Sequence, residues 1–545
     1  MSSDPLTVAV VCDYALDYVG GAQTALVEQV AALRGAGCGV VVVSPVRGKG
    51  ALSGGADGPF AGDVAHLRVP ARWVLPGVDL PVVRNSGRVR GLLEQVFAEH
   101  RVDVVQLHSE FGMAAAAIDV ARRRGLPVAH TVHTFFWQTT ARPQGLIAAA
   151  VRGFHRWITG IAPTRAALAA RPADSALRNM TLAVAQRADV VVSPSAHQAE
   201  RLREAGLADV VVVPNTVTTT GRAGQILDAD VDANADADVD APGASADADA
   251  DVAGASASAD ADAGIADGGV AAAVAAAPYA AAADPEAAAD AAAADEAADA
   301  AAADADEAAD EAAAAAAAAA EAADAAAADA AAVDEAAVRP DGATPASRPE
   351  LGRPGRPLRV VWIGRCEPEK RILPFVRAVV AAQRELGPGR LHVVVVGDGS
   401  QLDDARRLAS ASGDGPGADD GPAGPPGIEF LGRQDHGRIP RILAGSHLAA
   451  LTSYGFDNQP MTIVEAVTAG RGVLYCDPAL SEGLQGPGIR IPRDEAEMAT
   501  ALADVVRDPG RVLAASRATR HAREEFAPET HARRMIAAYE NARKR

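Results

Sequence analysis

Thr452-Ser453-Tyr454-Gly455-Phe456-Asp457-Asn458-Gln459-Pro460-Met461-Thr462-Ile463-Val464-Glu465-Ala466 is the stretch on which the fold turns. A short apolar run, Leu448 to Leu451, ends just before it, a polar loop follows, and Pro460 stands where a first helical residue would be. The pattern predicts a strand, then a helix from Met461 to Ala469, then a strand from Gly472 to Tyr475. Such a βαβ unit puts the loop at the C-terminal end of a parallel strand, where open α/β sheets bind ligands. The helix start offers unpaired amides, at Met461 and Thr462, to an anionic group such as phosphate. Asp457 lies in the loop and Glu465 more than one turn into the helix. Carboxylates accept hydrogen bonds from sugar hydroxyls, so one is suited to a transferred sugar and the other to a ribose.

The same grammar extends in both directions. Further strands are predicted at Arg359 to Ile363, Leu391 to Val396 and Gly427 to Leu431, with helices at Arg371 to Leu386, Gln401 to Ser410, His436 to Ala444 and Glu495 to Val506. Towards the N-terminus, strands are predicted at Thr7 to Cys12, Gly39 to Ser44, Val102 to Leu107, Pro127 to Val132, Val190 to Ser193 and Val210 to Val213. Their near-continuous Val runs are what strands covered on both faces look like. Helical patterns such as Ala22 to Arg34 and Met113 to Arg124 separate them. The expectation is therefore α/β, with two Rossmann-like domains of parallel sheet at residues 1–217 and 358–510. Charged helices at 511–545 are expected to pack back toward the first domain.

Residues 218–357 break the pattern. Between Ala223 and Val338 there are 28 Asp and Glu and no Lys or Arg, so the formal charge of −20 belongs to this tract. The rest of the chain carries 51 basic and 43 acidic residues and is mildly basic. The tract is expected to be a long low-complexity insertion between the domains. Its first part is too polar to order, and its Ala-rich second part forms at most transient helix. The glycine and the bidentate glutamate of an EF-hand loop are missing from its Asp repeats.

The remaining composition narrows the class. No run of eighteen apolar residues reads as a membrane span, and the start reads as a core strand and not as a secretion signal. Four cysteines, Cys12, Cys38, Cys366 and Cys476, lie far apart with no CxxC or Cys/His pairing, which fits a reducing cytoplasm and argues against structural zinc.

Two more strand ends carry chemistry. Ile363 is followed by Gly364-Arg365-Cys366-Glu367-Pro368-Glu369-Lys370, whose two cations are placed to stabilise a leaving diphosphate. The plainer reading is a surface loop with an Arg–Glu pair. Val396 is followed by Gly397-Asp398-Gly399, a glycine turn that lets a base or ribose approach the backbone. In the first half, Gly20 and Gly21 open a helix and are suited to a phosphate or sugar, although a plain turn uses the same residues.

Taken together, these motifs resemble the retaining glycosyltransferases of family four, which have the GT-B fold: two Rossmann-like domains facing across a cleft. Asp457 and Glu465 have the spacing of that family's paired acids, and Gly364, Arg365, Glu369 and Lys370 match its phosphate loop. Ala188 to Val217 is similar to the segment that closes its first domain, with Asn215-Thr216 in place of an Asn-Gly pair. The chain departs from the pattern where Asp457 replaces the usual Glu and Gln459-Pro460 replaces Phe-Gly. The resemblance implies a nucleotide-sugar donor held mainly by the second domain at Gly364, Gly397, Met461, Thr462 and Glu465, with Gly20 and Gly21 contributing from the first. It implies transfer with retention, no metal and no cofactor beyond the nucleotide sugar, with Arg365, Lys370, Asp457 and His133 in catalytic roles. His133 matches a His that sits beside the reacting sugar in related enzymes; His108 is a second strand-end candidate.

The acceptor is expected to be a lipid or glycan. The wording HSEFG (108–112) and HTVHTF (130–135) resembles bacterial enzymes that glycosylate diacylglycerol. Residues 142–178 hold six Arg and one acidic residue, Asp174, among apolar side chains, as a helix on an anionic membrane surface would. An ordinary helix pair covering the sheet has the same pattern. The expected location is the cytoplasm, with the inner face of the plasma membrane as the surface met. Nucleic acid is not expected, since no stacking platform accompanies the basic residues. Two other readings stay open: an inactive nucleotide-sugar-binding protein and a nucleotide-sugar epimerase. A nicotinamide dehydrogenase is weaker, because no GxGxxG follows either domain's first strand.

Overall fold

The computed structural model describes residues 5–16, 20–47, 60, 64–71, 73–75, 80–136, 138–139, 142–218, 352, 356–410 and 427–544. Apart from 218, 352, 356 and 357, the acidic insertion lies outside the described residues.

Two parallel sheets form. The first contains β1 (Thr7–Val11), β2 (Gly39–Arg47), β3 (Ala65–Ala71), β6 (Val104–Leu107), β7 (Val128–Thr131), β8 (Val190–Ser193) and β9 (Val210–Val212), in the order β3-β2-β1-β6-β7-β8-β9. A small antiparallel pair, β4 (Trp73–Leu75) and β5 (Leu80–Val82), lies outside it. The second sheet contains β10 (Leu358–Ile363), β11 (Leu391–Val396), β12 (Ile428–Gly432), β13 (Leu448–Leu451), β14 (Gly472–Tyr475) and β15 (Gly488–Arg490), in the order β12-β11-β10-β13-β14-β15.

The period of two explains both cores. In β1, Ala9 and Val11 enter one apolar cluster with α2 (Gly87–Glu99) and α3 (Gly112–Arg124). Val8 and Val10 enter another with α1 (Gly21–Gly35) and α13 (Pro528–Arg543). In β10, Val360 and Trp362 face α7 (Ile372–Leu386) and α11 (Glu495–Arg507), while Val361 faces α9 (Ile439–Ala444) and α10 (Met461–Thr468). Full burial of each such side chain contributes about 1.5–3 kcal/mol. The remaining helices are α4 (Gln144–Thr159), α5 (Pro172–Ala185), α6 (Ala196–Glu204), α8 (Leu402–Ser410) and α12 (Pro509–Ala522). The last two helices divide: α12 packs on β14 of the second sheet, whereas α13 packs on α1, β7 and β8 of the first.

Every strand expected from the Val runs is present, within one or two residues of its expected bounds except β2, which runs three residues past Ser44. The expected helix 436–444 begins as a 3-10 turn, His436–Arg438, before α9. Sequence reading missed β3, an edge strand of the first sheet whose alternating AHLRVPA contains Pro70, the short pair β4 and β5, and the short β15 at an edge of the second sheet. Proline is tolerated at an edge because one side of that strand needs no ladder donor.

One glycine fixes how the loops after β10 and β11 meet. Gly397 has φ +141°, and a Cβ there would lie 1.8 Å from the Gly364 carbonyl oxygen. Gly397→Ala is therefore expected to destabilise the protein by about 1–3 kcal/mol in urea unfolding. Gly21→Ala, whose Cβ meets nothing within 4 Å in the first turn of α1, is expected to be neutral or slightly stabilising. Equal effects at the two sites would contradict this assignment.

Candidate functional site

Lys370 closes the 3-10 turn Pro368–Lys370 after β10, and its ammonium group reaches the Asp457 carboxylate at 2.5 Å. Both side chains are mostly buried, and Lys370 also lies over the Phe456 ring at 5.5 Å. The neighbouring Glu369 is buried and takes Arg365 at 2.7 Å. The Arg–Glu pair of a plain surface loop is thus present, and it stands directly beside the Lys–Asp pair. In the free chain both cations are matched by carboxylates, while Asp457 keeps one buried oxygen, Oδ2, without a hydrogen-bond partner. Trp362 Nε1 donates to Thr452 Oγ1 at 2.9 Å, and that hydroxyl donates to the Lys370 carbonyl at 2.7 Å. A buried indole in β10 therefore fixes the cation loop against the end of β13.

Helix α10 begins at Met461 after Pro460, with no side-chain cap and no acidic residue in its first turn. The Ile463 amide donates to the Pro460 carbonyl at 3.0 Å, and an uncapped helix start of this kind suits an anionic partner. The Thr462 hydroxyl donates to the Ile363 carbonyl at 3.2 Å, which ties the helix start to the end of β10 beside Gly364. Gly397 lies against the Gly364 backbone, so close loop packing accounts for its lack of a side chain.

Glu465, on the same helix, is largely buried, and burial pushes its carboxyl up to about 6. His436 Nδ1 lies 3.6 Å from Glu465 Oε1, and its Nε2 lies 3.5 Å from Glu28 Oε1 on α1. His436 holds Glu465 down and Glu28 pushes it up. The Glu28 bond raises His436 above its ordinary value against its own burial, with Glu465 adding to the rise. Glu28 in turn accepts from the Thr218 amide and hydroxyl.

In the first domain His133 follows β7, and its Nε2 lies 2.7 Å from Nδ1 of His108, which follows β6. The rings stack at 5.0 Å with planes 20° apart. Burial lowers His133 to about 4 and His108 well below its ordinary value, so both are neutral at pH 7 and one donates to the other. Gly20 and Gly21 open α1, whose first turn has no side-chain cap and no acid. A third helix start is already occupied. Asp13, after β1, accepts from the amides of Phe111, Met113 and Ala114 and from the Ser109 hydroxyl, so the start of α3 holds a protein carboxylate.

The loop between β13 and α10 also joins the domains. Asn458 Nδ2 donates to the His133 carbonyl, and Gln138 Nε2 donates to the Gly455 carbonyl at 3.4 Å. Gln459 Oε1 accepts from the Asn215 amide at 2.5 Å. The Thr216 hydroxyl donates to the Phe526 carbonyl at 2.6 Å. Gln459 and Thr216, two of the departures from the family pattern, both make bonds between the halves.

Sequence reasoning missed Glu28 and His436. Glu28 sits inside an amphipathic helical pattern, and no spacing relates it to a residue in the other half. The pairing of His108 with His133 was also unread, although both are strand-end residues on neighbouring strands.

Residues 19–220 match the family described as Glycosyltransferase Family 4. Over 125 residues the chain is 27% identical to the alpha-monoglucosyldiacylglycerol synthase of Acholeplasma laidlawii; the match covers 23% of this chain and 29% of that protein's length. Among solved structures, Anabaena Alr3699/HepE in complex with UDP is similar at TM-score 0.52 and 13% identity, over 98% of this chain and 99% of the other. The same protein in complex with UDP-glucose gives 0.50 and 13%, over 97% and 98%. At this identity the likeness concerns the fold, and the two-sheet arrangement is GT-B.

Removing Lys370 strands the Asp457 carboxylate in a mostly buried position. Lys370→Ala is expected to lower unfolding stability by about 1–3 kcal/mol, and Asp457→Asn in that background to recover part of the loss. Additive losses in the double variant would show that the pair is not coupled.

Proposed function

We propose that the chain is a retaining hexosyltransferase that moves a sugar from a nucleotide-diphosphate sugar to a lipid or glycan acceptor, without a metal ion or further cofactor. The observation that carries this reading is the pairing of Lys370, from the loop that also holds the Arg365–Glu369 pair, with Asp457 in the loop that leads into the uncapped start of α10. Two cations and a helix N-terminus at the ends of β10 and β13 form an anion site. A donor diphosphate takes the place of Asp457 and Glu369 as partner of Lys370 and Arg365. Glu465 then accepts from the ribose hydroxyls, and the freed Asp457 accepts from the transferred sugar.

The chemistry follows from where charge develops. As the bond from the anomeric carbon to the diphosphate oxygen breaks, its electron pair goes to the diphosphate, where Lys370, Arg365 and the α10 amides stabilise it. The acceptor oxygen bonds the anomeric carbon on the same face, and its proton passes to the leaving phosphate. His133, neutral and held by His108 and Asn458, is placed in this reading beside the sugar as a hydrogen-bonding group.

A lipid acceptor at an anionic membrane surface fits the outer face of α4. Ile147, Val151, Phe154 and Ile158 turn into the core against α5, as in an ordinary helix pair, while Leu146 and Trp157 are 58% and 43% exposed. Arg156 is exposed beside them, and the Arg84 guanidinium lies 4.6 Å from the Trp157 ring centre. Apolar tips among arginines suit a headgroup layer. The name of the Acholeplasma laidlawii relative points to the same acceptor class. Among the described residues no helix is long and apolar enough to cross a membrane. The proposed mode, resting on the exposed apolar and basic side chains of α4, is peripheral contact from the cytoplasmic side.

Lys370→Ala is expected to reduce sugar transfer roughly 10²-fold or more, as loss of one charge-stabilising donor does elsewhere. Near-normal turnover would remove its role, and free product from donor alone would favour an epimerase. For the membrane, Arg152→Glu with Arg156→Glu is expected to weaken co-sedimentation with phosphatidylglycerol-containing vesicles by about tenfold or more. Unchanged sedimentation would contradict the docking face.

A further inference from the structure

His436 belongs to neither the phosphate loop nor the paired acids, yet it stands between two carboxylates from different domains. Glu465 reaches it from α10 at 3.6 Å and Glu28 from α1 at 3.5 Å. Both carboxylates are about nine-tenths buried, whereas His436 is 36% exposed. His436 and Glu465 line a small pocket together with the apolar Val217, Ile439, Pro440, Leu443 and Ala469. The pocket is also lined by Thr468, whose hydroxyl is buried with no hydrogen-bond partner among the described residues.

We propose that His436 is a positioning residue for the donor: steered by Glu28 of the first domain, it sets the direction and the charge of the Glu465 carboxylate that receives the donor's ribose. This rests on the transferase reading above and adds to it a residue and a cross-domain input.

A carboxylate this deeply buried, with a second carboxylate near, favours its neutral form, and a neutral acid is a poor acceptor for two vicinal hydroxyls. One cation at 3.6 Å opposes that, and an imidazole can be such a cation near neutral pH only when something holds its proton. Glu28 does so at the other ring nitrogen, Nε2. The charged and titratable groups facing Glu465 are thus Glu28 from α1 and His436 from the 3-10 turn, and the remaining lining is uncharged. Because Glu28 lies on the first domain, the charge of the ribose acceptor depends on the domains being together.

The sign is definite. Donor binding needs the Glu465 carboxylate, so affinity is full above its titration at about 6 and falls as pH drops through it. Without the His436 cation the carboxyl titrates at higher pH and the acid limb moves toward neutrality.

The test follows the Glu465 carboxyl directly by carbon-13 NMR in protein labelled at the glutamate side chains. Its resonance is assigned by its loss in Glu465→Gln. Titration of wild type, His436→Gln and His436→Arg is expected to show the midpoint rising by roughly one pH unit in His436→Gln and returning in His436→Arg, which keeps a cation. Binding of UDP-glucose, GDP-mannose and ADP-glucose by calorimetry is expected to show the same displacement in the donor that binds. A midpoint unmoved in folded His436→Gln, with donor binding intact, overturns the role of His436 alone. No binding of any of these donors by wild type at any pH overturns the donor reading, and the proposal with it.

Discussion

The loop from Ser453 to Gln459 leaves the second sheet and hydrogen-bonds to the first domain, and the site depends on those bonds; among the described residues Ser453 Oγ, Asp457 Oδ2, Asn458 Oδ1 and Gln459 Nε2 stay buried without a partner. Asn458 donates to the His133 carbonyl, and Gln459 accepts from the Asn215 amide. These bonds hold Asp457 where Lys370 can reach it, and they hold His133 facing the same loop. A buried amide or carbonyl left unpaired here would cost about 1–3 kcal/mol, so a residue that fails to reach across loosens both domains. The departures at Gln459 and Thr216 acquire a physical meaning in this light. At both positions the side chain hydrogen-bonds to the other half of the chain.

The second organising feature is electrostatic. Outside the acidic insertion the chain is mildly basic, yet its two most important cations are matched by carboxylates in the free chain. Lys370 and Asp457 neutralise each other, as do Arg365 and Glu369. On the proposed reading a diphosphate would enter by exchange, displacing two acids as it takes two cations, and Asp457 would then be free to accept from a sugar hydroxyl.

Much of the architecture was legible in the sequence because parallel strands buried on both faces must be apolar at every position. Val8 to Val11 and Val360 to Trp362 feed two cores in alternation and left an unbroken signal. The edge strand β3 was not legible, because an edge can alternate and can carry Pro70. Of the site, the loop after β10 and the helix at Met461 were readable as strand-end chemistry. Glu28 and His436 were not: their meeting is made by the packing of one domain on the other, and nothing local to either residue encodes it. The same holds for the His108–His133 pair, which arises from the side-by-side register of β6 and β7.

The central claim is that the second domain holds a nucleotide-sugar donor at the ends of β10 and β13. Hydrogen exchange of the intact protein with and without a saturating nucleotide sugar tests it most directly. The account predicts slowed exchange in 364–371 and 461–465, with a smaller change at the start of α1. Protection confined to the first domain, or exchange unchanged in both loops despite measured binding, would contradict it.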